Sequence, residues 1–206
     1  LGLITAASMK VFFKPREKYT FFCSVKNPKK SIELLRFLQK NVSTPLTAFE
    51  LMNSNSIETV LSHFEKTNLP LNKKSEWYIL FEFSRFDHDK STIDKVLRII
   101  SNIQKEKLIY EVVFANSIKQ SKELWGLREN ISEAQKEDGA SIKNDISIPI
   151  FSIGNFIKNA DEIVKNTIHN SKNVTFGHVG DGNIHYNITQ PKDMGKKEFL
   201  SLENHL

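Results

Sequence analysis

The sequence predicts an α+β fold: an antiparallel sheet flanked by helices, built from two ferredoxin-like halves. Three observations point there. Apolar patterns of period two alternate with patterns of period 3.6 along most of the chain, no glycine-rich strand-to-helix loop of the parallel α/β kind is present, and the last apolar runs meet at a tight-turn signal. No internal sequence repeat accompanies the two halves, so the duplication rests on the order of elements.

Residues 3–13 alternate loosely and read as strand-like until Pro15. Residues 19–25, rich in aromatic and β-branched side chains, form a strand, and Asn27-Pro28 opens a helix in which Ile32, Leu35 and Leu38 recur at helical spacing as far as Lys40. Pro45 closes the connection to a short strand at residues 46–52. Ser56 is expected to cap a helix reaching Lys66, residues 69–74 to loop, and residues 77–83 to form the clearest buried strand. A long helix from about 89 to 107 leads to a strand at 109–115. The second half repeats the rhythm with a helix at 117–137, a strand at 141–148, a helix at 155–169 and a hairpin about Asp181-Gly182. Residues 196–206 read as the opening of a helix without a cap signal.

A hydrophobic content of 39% over 206 residues is enough for a buried core and argues against disorder. The single cysteine, Cys23, excludes a disulfide framework; its place among aromatic residues suits core packing and a reducing compartment. No apolar run approaches the roughly 18 residues of a membrane span, and no charged segment followed by an apolar one opens the chain. A cytoplasmic location is therefore expected, with peripheral membrane association left open. The net charge of +5 raises nucleic acid as a partner, but the lysines fall in small separated pairs, Lys29-Lys30, Lys73-Lys74 and Lys196-Lys197, with acidic residues between them. Without a basic stripe, nucleic acid is not expected.

The run from Phe176 to Asn187 carries the chemistry. With Asp181 and Gly182 as the centre of a two-residue turn, Gly180 pairs with Asn183, Val179 with Ile184 and His178 with His185. Opposed side chains stand about 4.5–5.5 Å apart at Cβ, so both imidazoles would reach one divalent ion, with Asn187 on the same face. The spacing equally suits a hairpin whose histidines only stack or bond to backbone, because a catalytic metal normally takes a third protein ligand. On the helix near Trp125, an apolar stripe of Leu124, Leu127, Ile131 and Ala134 has Arg128 at its edge and Ser132 one turn on. Spacing alone makes Arg128 a snorkelling residue paired with some carboxylate. Lys143 and Asp145 share the polar face of their strand and read as an exposed pair. His63, His88 and His169 have no partner motif and read as surface residues.

The segment His178-Val179-Gly180-Asp181-Gly182-Asn183-Ile184-His185 resembles the His-x-Gly-Asp-Gly-Asn-x-His signature in the C-terminal domain of FAD-linked D-2-hydroxy-acid dehydrogenases. That family includes D-lactate and D-2-hydroxyglutarate dehydrogenases and the glycolate oxidase catalytic subunit. Leu124-Trp125-Gly126-Leu127-Arg128-Glu129 is similar to its Leu-Trp-x-x-Arg-Glu helix, and residues 141–149 to its Lys-x-Asp-hydrophobic-x-hydrophobic-Pro strand. Residues 1–10 resemble the segment that ends its FAD-binding domain. The matches keep the family's order as far as about Gln190.

The resemblance implies the same architecture, with residues 1–15 as the C-terminal edge of a FAD-binding domain and 16–206 as a substrate domain cut short at its end. It implies oxidation of a small 2-hydroxy acid to the 2-oxo acid. Arg128 would clamp the substrate carboxylate with the hydroxyl of Ser132, a position where the family often has threonine. Lys143 would sit by that carboxylate or the flavin, and Asn187 would steady either. His178 and His185 would hold a divalent metal, with zinc the expected ion. FAD would be bound mainly by a FAD-binding domain of the same or an adjacent polypeptide, since neither a Gly-x-Gly-x-x-Gly turn nor a Gly-x-x-x-x-Gly-Lys loop occurs here. The family's downstream Glu-His-Gly motif, implied to supply a third ligand and the catalytic base, is also absent, so the isolated chain is expected to be inactive. A competing reading is a non-catalytic remnant or interaction module that keeps the fold.

Overall fold

The computed structural model describes residues 3–205, with side-chain burial to residue 203. Leu1 and Gly2 of the N-terminal motif, and Leu206 at the end of the last expected helix, lie outside the described residues.

A strand buried along its whole length is a central one, and β3 (Trp77–Arg85) is buried at every residue. It lies between β1 (Glu17–Val25) and β2 (Leu46–Asn53), antiparallel to both. Helix α1 (Pro28–Asn41) crosses from β1 to β2, and α2 (Ser54–His63) lies in the connection to β3. Helix α3 (Thr92–Lys105) then leads to the edge strand β4 (Val112–Phe114), which pairs with β1. The spatial order β4-β1-β3-β2 is that of a ferredoxin-like unit. Helices α4 (Ile118–Glu129) and α5 (Ile131–Glu137) precede the second half: β5 (Ser141–Ser147), α6 (Ile153–Thr167), β6 (Lys172–His178) and β7 (Asn183–Thr189). Its three strands stand in the order β6-β7-β5, the first three of the same pattern, and α7 (Lys196–Ser201) follows.

The halves join where β2 meets β6 through Glu50↔His178, Leu51↔Gly177 and Met52↔Phe176, giving one seven-stranded antiparallel sheet. Strand alternation sorts its side chains into two cores. Phe21, Cys23, Leu51, Ile79, Phe81, Ile184 and Tyr186 pack with α1, α3 and α6, where Phe21 stacks on Phe81 at 5.0 Å. Burying each such ring contributes roughly 1.5–3 kcal/mol. The opposite face carries a smaller core of Phe22, Met52, Tyr78, Leu80, Val174 and Phe176 under α2, α4 and α5. That smaller core leaves room at its rim for polar side chains.

Several expectations change in detail. Residues 3–14 form no strand, and Leu3, Ile4, Met9, Val11, Phe12 and Phe13 are exposed. The helix expected from Ser56 starts at Ser54, because Asn53 Oδ1 accepts the Ser56 N–H at 2.9 Å and ends at His63, short of Lys66. The expected 117–137 helix is two helices that break at Asn130, where φ −80° and ψ −4° depart from helical values. The strand expected at 109–115 shortens to β4, the helix expected at 89–107 starts at Thr92, and that expected from 155 starts at Ile153. The final helix is short and runs into a 3₁₀ turn at Leu202–His205.

Candidate functional site

The hairpin register differs from the two-residue turn. Phe176, not His178, stands opposite His185; β6 ends at His178, and a 3₁₀ turn at Val179–Asp181 with Gly182 in the left-handed region completes the reversal. A four-residue turn, Val179–Gly182, in place of the expected two displaces the two histidines by two positions, while His178 pairs with Glu50 of β2 on its other side. They remain on one sheet face as diagonal neighbours, a relation long side chains still span.

That face gathers the other expected residues. Arg128, on the last turn of α4, packs its guanidinium 4.6 Å from the centre of the Phe176 ring, and the same ring lies 4.8 Å from that of His185. Phe176 thus packs against both a cation and an imidazole. Helix α4 is held down by Glu82, a buried carboxylate of β3 that accepts from Trp125 Nε1 at 3.2 Å, Thr20 Oγ1 at 2.9 Å and Lys18 Nζ at 2.8 Å. Trp125 stands three residues before Arg128, so this contact sets the height of the guanidinium above the sheet.

Asn187 is buried and donates to Gln135 Oε1 of α5 at 2.8 Å. Lys143 is its cross-strand partner on β5, exposed and without an ion pair among the described residues. Ser132 is exposed on the first turn of α5; the break at Asn130 sets it off from Arg128, so a continuous helical stripe does not unite the two. The exposed Lys143–Asp145 pair does not form. Asp145 instead accepts from Asn183 Nδ2 at 2.8 Å and lies 3.4 Å from His185 Nδ1.

Each imidazole therefore has Nδ1 turned to a carboxylate: His185 to Asp145, His178 to Glu50. This is the outer-shell arrangement that orients metal-binding histidines and leaves Nε2 for the ion. Burial lowers the His185 pKa, with the charges of Arg128 and His178 acting the same way and Asp145 and Glu50 opposing. The result favours the neutral imidazole that a metal requires. The donor set fits a divalent ion as two nitrogen ligands. No third His, Cys, Asp or Glu joins them in a metal-holding group among the described residues.

The fit to FAD is different. Added Cβ atoms at Gly177 and Gly182 would collide with the carbonyl oxygens of Asn183 in the hairpin and of Ile148 just after β5, so backbone already fills the space at these glycines and they do not cradle a pyrophosphate.

The model of the family described as FAD linked oxidases, C-terminal domain, matches residues 14–200. The chain belongs to this family. Among curated proteins it is 30% identical over 192 residues to a mitochondrial D-2-hydroxyglutarate dehydrogenase of Arabidopsis thaliana, covering 92% of this chain and 33% of that protein. It is 29% identical over 200 residues to a D-2-hydroxyglutarate dehydrogenase of Stutzerimonas stutzeri (strain A1501), covering 97% and 42%. The chain thus spans less than half the length of these relatives. A solved structure of 4-ethylphenol oxidase from Gulosibacter chungangensis shares the fold at a TM-score of 0.55 and 13% identity, over 88% of this chain and 40% of that one.

Every candidate site residue falls inside the stretch matched by the FAD-linked oxidase model. Sequence reading missed Glu50 and Phe176, which touch those candidates. Glu50 carried a signal: it is the single charged residue in the apolar run of β2, where period-two alternation turns it to the same sheet face as Met52. Among the described residues no helix is long and apolar enough to cross a membrane.

Proposed function

We propose that this chain is the substrate- and metal-binding part of an FAD-dependent 2-hydroxy-acid dehydrogenase that forms the 2-oxo acid. The observation that carries it is the gathering of a shielded guanidinium, an ammonium and two imidazoles on one sheet face. Glu50 engages Arg128 through Nε at 2.7 Å, leaving the terminal nitrogens for a substrate carboxylate. Lys143 adds a second positive charge, while Asn187 and the Ser132 hydroxyl supply orienting hydrogen bonds. His178 and His185 would hold the metal, zinc being the first ion to test. When bound, that ion would polarise the substrate hydroxyl as a Lewis acid, and the flavin would accept hydride from Cα. Arg128 and Lys143 fix the carboxylate end so that the hydroxyl faces the imidazoles.

The names of the similar relatives make D-2-hydroxyglutarate the substrate to test before D-lactate or glycolate. Residues 1–15 are proposed to continue from a FAD-binding domain, in keeping with the exposed apolar side chains of residues 3–13. An aqueous reducing compartment, cytoplasmic or mitochondrial, suits the buried Cys23, whose thiol pKa burial pushes up.

The test is kinetic, in the flavin-containing protein that carries this chain. Arg128→Lys is expected to lower kcat/KM for D-2-hydroxyglutarate about a hundredfold, mostly through KM, as loss of a bidentate charged contact costs roughly 2–3 kcal/mol. Unchanged kinetics would make Arg128 a structural residue and remove the reading's main support.

A further inference from the structure

Glu50 is entirely buried, yet it is a carboxylate and lies where β2 meets β6, the seam between the two halves. A buried carboxylate is retained only with compensating partners, and Glu50 has one on each side. Oε2 accepts from Arg128 Nε at 2.7 Å. Oε1 accepts no hydrogen bond of good geometry among the described residues and lies against His178 Nδ1. The seam also puts Met52, the next residue of β2 on this face, opposite Phe176, on which both Arg128 and His185 rest.

We propose that Glu50 is a positioning residue that ties the carboxylate clamp to the metal ligand: one buried carboxylate fixes the Arg128 fork and the ring orientation of His178. The inference rests on the proposed function above, since it needs Arg128 and His178 in those roles. Two oxygens of one rigid group then set the spacing between the substrate's carboxylate and hydroxyl subsites. Carboxylates in this relation to a metal-binding histidine fix its tautomer with the proton on Nδ1 and free Nε2. Asp145 stands in the same relation to His185 but is exposed, shares its oxygen with Asn183 and touches no substrate-clamping group. Among the described residues Glu50 alone contacts both Arg128 and His178.

The test begins with the unmodified 206-residue chain. Long-range proton–nitrogen NMR spectra are expected to show His178 protonated on Nδ1; protonation on Nε2 overturns the proposal without any variant. Zinc titration followed through the His178 and His185 ring signals is then compared for the parent, Glu50→Gln, Glu50→Asp and His185→Ala. Either folded Glu50 variant should bind zinc ten- to a hundredfold more weakly, with a mixture of His178 tautomers. Zinc binding within twofold of the parent in a folded Glu50 variant overturns the positioning role. If His185→Ala also binds as the parent does, the metal reading itself falls. If His185→Ala loses zinc while the Glu50 variants keep it, only the role of Glu50 falls.

Discussion

At the scale of single residues, the chain's charges are informative where they are buried, and sequence spacing does not reveal burial. Partners are hidden from spacing too. His63 has no motif and is exposed, as expected of a surface residue, yet its Nε2 lies 2.7 Å from Asp138 Oδ1, while Thr59 Oγ1 donates to Asp138 Oδ2 at 2.9 Å and Lys172 Nζ stands 3.6 Å away. These contacts tie the end of α5 to α2 and β6. Burial would raise the Asp138 pKa, but the hydrogen bonds from His63 and Thr59 and the charge of Lys172 outweigh it, and the net shift is downward. A carboxyl with a lowered folded pKa adds stability above its unfolded value and loses it as pH falls through the folded one. Asp138→Asn should therefore lower Tm by about 2–4 °C near neutral pH, corresponding to about 1 kcal/mol, and the gap should close as pH drops below roughly 4. Thermal melts across that range check it; a gap that stays constant to pH 2 would refute the linkage. Burial is what hid Glu50, which is fully buried. Arg128, in contrast, was legible as a cation at an apolar edge, and the paired carboxylate anticipated from spacing is Glu50 itself.

At the scale of elements, period and composition indicate which segments form strands or helices except at residues 3–13, which form no strand, and they indicate less well where elements end or pair. Residues 77–83 are apolar enough to be recognised as a buried strand, and the two antiparallel neighbours of β3 make it a central one. The hairpin register could not be read, because a four-residue turn in place of two changes the pairing while leaving every side chain on the same face, as a shift of two positions must. The choice lies with Gly182, at φ +80° and ψ 9°, whose C=O accepts from Ile148 N at 3.1 Å. An alanine there meets both a left-handed backbone and the Ile148 carbonyl, whereas Gly180 has open space about its Cβ position. Gly182→Ala should destabilise by about 2–4 kcal/mol and Gly180→Ala by under about 1 kcal/mol, read as urea midpoints. Equal effects of the two would mean that the turn does not depend on Gly182.

At the scale of the whole molecule, the proposed function divides between what this chain's sheet face offers and what it would leave to other parts of a flavoenzyme. The site straddles the β2–β6 seam: Arg128 and Glu50 come from one side of it, and His178, His185, Asn187 and Lys143 from the other. Neither ferredoxin-like half holds a complete set, so both are needed to bring a carboxylate clamp and two imidazoles together. In the proposed function such a surface would recognise a small hydroxy acid by charge. It lacks what a dinucleotide needs, which is a run of backbone N–H groups left open by glycines at a helix start. The helices on the site's face begin at Ser54, Ile118 and Ile131 without such loops, and the hairpin glycines are packed against backbone. The 206-residue chain, incubated with excess FAD and passed through gel filtration, should therefore emerge without a stoichiometric flavin absorption band. Joined to or mixed with a FAD-binding domain, it should elute with the flavin. A retained band in the chain alone would show that this fold holds the cofactor itself, and the division of labour proposed here would have to be redrawn.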